Sequence, residues 1–183
     1  MNDNVFAFCP ACGSKNIQTL RDGFKWQCPD CGFELFNNVA SAVGLVISNA
    51  RHEVLFEVRA KDPRKGFLAL PGGFCDCDES AEQAAVRECR EELGLVPQNL
   101  RYLCSWPNTY PYKNMLYKTC DLFFSAALPQ DASFTVQQNE VSELKWISVR
   151  TKEDVKNLPL AFESARKTLF VWLEEQRQPI LWI

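Results

Sequence analysis

The sequence predicts an α/β (α+β) chain, strands alternating with helices, preceded by a small cysteine-stapled module. Three observations carry that reading. Two Cys-x-x-Cys pairs, each followed by glycine, fall within the first 31 residues. From Ala40 onward, short apolar runs of strand length alternate with segments of helical period. One of those helical segments, residues 81–93, is bounded by a start and a stop signal. The expected division is 1–36 for the module and 37–183 for the larger domain, and a chain of 183 residues is long enough for one ordinary core and a satellite.

In the module, Cys9-Pro-Ala-Cys12-Gly13 and Cys28-Pro-Asp-Cys31-Gly32 are near repeats, separated by fifteen residues. Each pair makes a tight turn whose glycine lets backbone N–H groups face the sulfurs. Four thiolates at this spacing suit a tetrahedral Zn²⁺, with Cys9, Cys12, Cys28 and Cys31 as ligands of a zinc ribbon. So short a segment buries too little apolar surface to fold unaided, so the metal would supply folding energy. A redox-active Cys-x-x-Cys is the competing reading, and it would need only one pair on a strand-helix unit. The other five of the nine cysteines are scattered, which fits free thiols better than a disulfide framework.

In the larger domain, 42–48 and 53–59 read as apolar strands around the polar turn 49–52. Residues 67–70 form a short strand ending at Pro71-Gly72-Gly73. A helix follows over 81–93, then strands at 100–106, 119–127 and 144–148. The apolar spacing of Phe162, Ala165, Leu169, Phe170 and Leu173 predicts a closing helix over 162–178.

Composition removes several function classes. A net charge of −3 and a pI near 5.3 lack the basic face of a general nucleic-acid or membrane-surface binder, and the ribbon itself carries a net −1. A structural or assembly role for it follows. No apolar run approaches the length of a membrane span, and the first twenty residues show no basic segment followed by an apolar one; the cytoplasm is the expected address. The only histidine, His52, sits in the polar turn, which leaves a Ser-His-Asp arrangement without its base.

The helix at 81–93 carries the chemistry. Ser80 and Gln83 make a capping box and Gly94 a left-handed stop. At 100° per residue Ala85, Val86, Cys89 and Leu93 share one stripe, expected to bury. Glu88, Glu91 and Glu92 share another. Like charges at this spacing cost a helix only about 0.2–0.5 kcal/mol per pair, so a solvated acidic face is the plain alternative. Context favours a metal site: carboxylates suit hard cations, and the preceding Gly-Gly turn offers a backbone carbonyl.

The run Gly73-x5-Glu79-x7-Arg87-Glu88-Cys89-Arg90-Glu91-Glu92-Leu93-Gly94-Leu95 resembles the Nudix box, G-x5-E-x7-R-E-U-x-E-E-x-G-U, with all seven fixed letters present. The odds of a chance match are below roughly one in a million. Cys89 stands where a bulky aliphatic is usual, a change of packing and not of chemistry. The resemblance implies a mixed β-sheet sandwiched by helices. It also implies Mg²⁺ or Mn²⁺ held by Glu88, Glu91 and Glu92 with the carbonyl of Gly72, and an ion pair of Glu79 with Arg87. Such a metal would assist attack of water on a pyrophosphate. Glu91 and Glu140 are both candidates for the base.

A zinc ribbon ahead of this box resembles the NADH pyrophosphatase subgroup. Glu140-Val-Ser-Glu-Leu-Lys-Trp146 resembles that subgroup's E-x-x-E-x-x-W, which implies a metal ligand at Glu140; an exposed loop acid is the alternative. Ser105-Trp-Pro-Asn-Thr-Tyr-Pro-Tyr-Lys113 matches the subgroup's S-Q-P-W-P-F-P-x-S only in part: Asn108 and Thr109 replace its inner tryptophan and proline, and Lys113 its last serine. Trp106, Tyr110 and Tyr112 would stack a base or nicotinamide, or serve as a structural aromatic loop. Arg59, Lys61, Arg64 and Lys65 would contact phosphates, or remain solvated loop charges. The expected activity is cleavage of a nucleoside diphosphate linked to another group, foremost NAD(H) to a mononucleotide and AMP. ADP-ribose is the alternative substrate, and a catalytically silent nucleotide- or nucleic-acid-binding module the alternative of another class. A small-molecule dinucleotide is thus the expected partner, and the resemblance admits a homodimer.

Overall fold

The structure of the protein, a computed structural model, describes residues 6–113, 115–129 and 131–177, with the side chains of Tyr112 and Met115 outside that set. The chain divides into two compact units, Met1–Val39 and Ala40–Ile183.

The first unit is an antiparallel sheet of β1 (Gln18–Leu20), β2 (Lys25–Gln27) and β3 (Glu34–Phe36), in that order. These strands are too short to show a sequence period. Behind them Ile17, Trp26, Cys9 and Cys28 are buried, with Phe6 and Phe33 against them. So few apolar side chains cannot offset the entropy of ordering the unit.

The second unit comprises β4 (Ala40–Ile47), β5 (Glu53–Arg59), β6 (Leu68–Ala69), α1 (Ala81–Leu93), β7 (Gln98–Tyr112), β8 (Met115–Ala127), β9 (Val141–Ser148), α2 (Lys152–Asn157) and α3 (Glu163–Arg177). It holds two three-stranded sheets, β4-β8-β7 and β6-β5-β9. β4 runs parallel to β8, and the other pairings are antiparallel. Isolated bridges Ser48↔Val54 and Ala42↔Phe74 stitch the sheets and the glycine turn together.

Alternation along the strands builds the sandwich. Val43, Leu45 and Ile47 of β4, Leu55 of β5, and Phe124 and Ala126 of β8 pack with Ala84, Ala85, Cys89 and Leu93 of α1. Their neighbours Val46, Val54, Phe56 and Phe123 face the other way, onto Val155 of α2 and Ala165, Leu169, Trp172 and Leu173 of α3. The sheets are therefore covered by α1 on one face and by α2 and α3 on the other, as the resemblance implies.

Two elements differ from expectation. The strands predicted at 100–106 and 119–127 are parts of one long hairpin, paired as far as Tyr112↔Met115. Pro107 and Pro111 concealed its length, yet β7 is an edge strand, where a missing N–H is tolerated. Helix α2 was not predicted because six residues show no period; its signal was the capping box of Thr151 and Asp154.

Candidate active site

Helix α1 starts where the capping box places it: the Ser80 hydroxyl accepts from the Gln83 N–H, and the Gln83 side chain accepts from the Ser80 N–H. It ends at Gly94, with φ at 72°. Ala84, Ala85, Cys89 and Leu93 are buried, while Val86 is only half-buried. The acidic stripe is divided. Glu92 is 5% exposed and the Glu88 side chain 12%, but the Glu91 side chain is 52% exposed. Consecutive helical residues point about 100° apart, so Glu91 turns outward where Glu92 turns in.

The Pro71-Gly72-Gly73 turn makes that burial possible. The Gly72 N–H donates to Glu92 Oε2 at 2.7 Å. A Cβ at Gly72, where φ is 139°, would lie 2.2 Å from the Val43 carbonyl oxygen, and one at Gly73 would lie 2.5 Å from Glu88 Oε1. The first approach, onto backbone at a positive φ, needs glycine; the second would displace the Glu88 carboxylate. Arg87 then ties the loop to the helix: Nε and Nη2 donate to the two Glu79 oxygens at 3.1 and 2.6 Å, Nη2 also to the Phe74 carbonyl at 2.9 Å, and Nη1 to Glu88 at 2.9 Å and Glu91 at 3.3 Å. Arg87 holds the Glu79 carboxyl below its ordinary range. Burial pushes Glu88 up, against the opposing pull of Arg87.

Glu57 joins these residues without having been expected. It lies on β5 with the parity of Leu55, facing α1, and is 4% exposed. Burial pushes its carboxyl up to about 8. Glu92 is raised well above the ordinary range, by burial and by the neighbouring Glu57 charge. A signal existed in the sequence: an acid inside an apolar strand, on the parity of its buried residues. Asp121 of β8, 7% exposed, is a second such case. It accepts from Thr119, Ser164 and Asn108 at 2.6, 2.7 and 2.8 Å, and those donors satisfy its buried oxygens.

These groups line one cavity of about 690 Å³, together with Gly72, Gly73, Arg87, Glu88, Glu140, Arg59 and Tyr110. That is the size of a ligand pocket. Glu140 Oε1 meets Lys61 Nζ at 2.5 Å. Arg59 donates to the Pro63 carbonyl at 2.8 Å and to the Tyr110 hydroxyl at 3.4 Å, with its guanidinium 5.4 Å from the Phe162 ring centre. Phe74 meets Tyr110 edge-on at 5.3 Å, and Tyr110 meets Phe162 at 5.5 Å. The cavity thus has an acidic end and an aromatic, arginine-lined end.

Two expected residues stand apart from it. Glu91 faces out from the helix. Trp106 packs on the core below α3, with Lys167 Nζ 5.4 Å over its ring; the adjoining prolines are accommodated in a strand and do not aim this side chain at the cavity. The Tyr112 side chain lies outside the described residues.

In the N-terminal unit the four sulfurs of Cys9, Cys12, Cys28 and Cys31 lie within 4.8 Å of one another. Cys9 to Cys31 is 3.7 Å and Cys12 to Cys28 is 3.8 Å. A tetrahedron of sulfurs about 2.3 Å from zinc has edges of about 3.8 Å. Backbone N–H groups of Ala11 and Cys12 point at the Cys9 sulfur, that of Ser14 at Cys12 and that of Phe33 at Cys31. Gly13 and Gly32, at φ of 75° and 77°, make these turns.

Comparison with known proteins agrees with this architecture. The NUDIX domain family matches residues 39–172, and the chain belongs to that family. It is 31% identical over 169 residues to the NAD-capped RNA hydrolase NudC of Haemophilus influenzae, covering 91% of this chain and 60% of that protein. With the same-named protein of Pseudomonas aeruginosa it shares 29% identity over 181 residues, 95% of this chain and 59% of the relative. The chain thus spans about 60% of the length of these relatives. Among solved structures, it resembles a NUDIX hydrolase from Nitrosomonas europaea (TM-score 0.68, 23% identity, 94% of each chain) in fold. It also resembles the NUDIX domain of Shewanella oneidensis NrtR complexed with ADP ribose, with a TM-score of 0.59 and 28% identity over 78% of this chain and 90% of that one. Among the described residues no helix is long and apolar enough to cross a membrane.

Proposed function

We propose that the protein is a metal-dependent pyrophosphohydrolase that cleaves the diphosphate of a dinucleotide, foremost NAD(H) to a mononucleotide and AMP. The observation that carries this reading is the burial of Glu88 and Glu92 against a glycine turn, at one end of a cavity whose other end is aromatic. Two nearly buried carboxylates, one of them against a third, Glu57, suit a hard divalent cation. Glu88, Glu92 and the Gly72 carbonyl would hold Mg²⁺ or Mn²⁺. Such an ion, when bound, neutralises the diphosphate and makes its phosphorus more electrophilic.

The chain's own groups supply the rest. Arg87 and Glu79 fix the loop so that the Gly72 carbonyl and Glu88 keep one geometry. Arg59 stands between the phosphates and the aromatic end, and Tyr110 and Phe162 offer faces for a base or nicotinamide. Of the two acids expected as base, Glu140 lines the cavity and Glu91 does not, so Glu140 takes the proton of the attacking water. The new P–O bond forms as the bridging P–O bond breaks, and the departing phosphate leaves with the second mononucleotide. Glu91 then acts from outside, through Arg87. The four cysteines would hold one structural Zn²⁺.

ADP-ribose is the second reading, since the NrtR domain that this chain resembles was crystallised with it. NADH, NAD, ADP-ribose and an NAD-capped oligonucleotide, each with Mg²⁺ or Mn²⁺, separate the candidates. Fastest turnover of NADH supports the first reading. ADP-ribose turned over far faster than NADH replaces it.

A further inference from the structure

We propose that Glu57 is an additional ligand of the divalent cation in this cavity, supplied from the sheet and not from the Nudix box. The inference rests on reading the acidic end as a cation site, and it adds a residue that the box does not contain. Glu57 lies on β5 opposite Ala69 of β6, two residues before the Pro71-Gly72 turn. From there its side chain crosses to α1, where its carboxylate lies against that of Glu92. It is 4% exposed, it lines the cavity, and among the described residues its Oε1 has no hydrogen-bond partner. The companion acid is better served, since Glu92 Oε2 takes the Gly72 N–H at 2.7 Å.

An unpartnered carboxylate oxygen, buried beside a second buried carboxylate, is expensive in a protein interior. Asp121, similarly buried, shows the ordinary remedy: three donors surround it. Around Glu57 the neighbouring groups that carry charge are acids, Glu88, Glu92 and Glu140, apart from Arg59. Arg59 itself turns to Pro63 and Tyr110. A cation held by Glu92 would give the open Oε1 of Glu57 the partner it lacks and offset the repulsion among these acids. A hydrogen-bonding role alone, with Glu57 and Glu92 sharing a proton to hold Glu92 in place, would satisfy one oxygen of Glu57 and leave Oε1 as it is.

The test is Mn²⁺ titration of the zinc-loaded full chain, followed by electron paramagnetic resonance without nucleotide, with melting curves with and without Mn²⁺. Glu57→Gln keeps size and hydrogen bonding but removes the charge. It is expected to weaken Mn²⁺ binding by at least about tenfold, to melt no lower than wild type without metal, and to lose much of the Mn²⁺-induced rise in Tm. Mn²⁺ binding within about twofold of wild type overturns the assignment. Should Glu57→Gln fail to fold, Glu57→Asp, whose oxygens fall short of the site, decides on the same criterion. No Mn²⁺ binding by the wild type overturns it as well. Failure of every nucleotide to be hydrolysed would defeat the proposed activity but leave this titration readable, so the two outcomes are separable.

Discussion

Glu92 and Gly73 show how single residues set the site. Removing the Glu92 charge withdraws a ligand whose backing, the Gly72 N–H, is already in place. Metal assistance supplies several kcal/mol, and each 1.4 kcal/mol is about tenfold in rate, so Glu92→Gln is expected to lower kcat by about 100-fold or more, measured on NADH or ADP-ribose. Gly73→Ala puts a methyl 2.5 Å from Glu88 Oε1. It should cost more in kcat than in Tm, because Glu88 moves while the core does not; steady-state kinetics beside a melting curve checks this. Much of this scale was legible beforehand. Helical spacing grouped Glu88 with Glu92, and the resemblance to the Nudix box implied Gly73, Glu79 and Arg87. Glu57 stayed hidden because its partner is thirty-five residues away in sequence, and only the pairing of β5 beside α1 brings them together. That Glu91 is more exposed than Glu88 and Glu92 was not legible, because an i,i+3 spacing defines a stripe but not where the buried edge of that stripe falls.

At the scale of elements, α1 is the part the sequence announced in full, from capping box to glycine stop. Ser80→Ala removes an N-cap worth about 1 kcal/mol, which for a chain of this size corresponds to a Tm lower by about 2–4 °C, with kcat little changed. The β7–β8 hairpin was legible only at its ends. Proline normally marks a break, and nothing local states that β7 lies at a sheet edge. The acidic seam between β5 and α1 predicts a pH response of the metal-free protein. Glu57 and Glu92 both titrate higher folded than unfolded, so the folded state holds protons that the unfolded chain has released. Stability from this pair is full below about 4.5 and is lost as pH rises toward about 8. Saturating Mg²⁺ should flatten that slope, since a bound cation replaces the protons. Melting temperatures across pH 5–8, with EDTA and with Mg²⁺, read the difference.

At the scale of the whole chain, two units offer two kinds of donor, a cluster of four sulfurs in Met1–Val39 and carboxylates lining a cavity in Ala40–Ile183. The cysteine spacing made the first legible, because four thiolates dictate their geometry; its three short strands follow from the metal and left no periodic trace. Chelation of zinc is expected to melt that unit while helix content from α1 and α3 persists, seen as a small loss in far-ultraviolet circular dichroism alongside release of one Zn²⁺ per chain. A fall of the whole spectrum would show instead that the larger unit depends on the ribbon. Substrate choice was the least legible property, because Tyr110, Phe162, Phe74 and Asp121 converge from four separate segments. The central claim, buried glutamates directing metal-assisted cleavage of a dinucleotide diphosphate, is tested most directly by following AMP release from NADH with Mg²⁺ or Mn²⁺ for wild type and Glu92→Gln. The account predicts metal-dependent release of AMP and mononucleotide in equal amounts, lost in the variant. Undiminished release by Glu92→Gln, or no cleavage of NADH, NAD, ADP-ribose or an NAD-capped oligonucleotide with either metal, would contradict it.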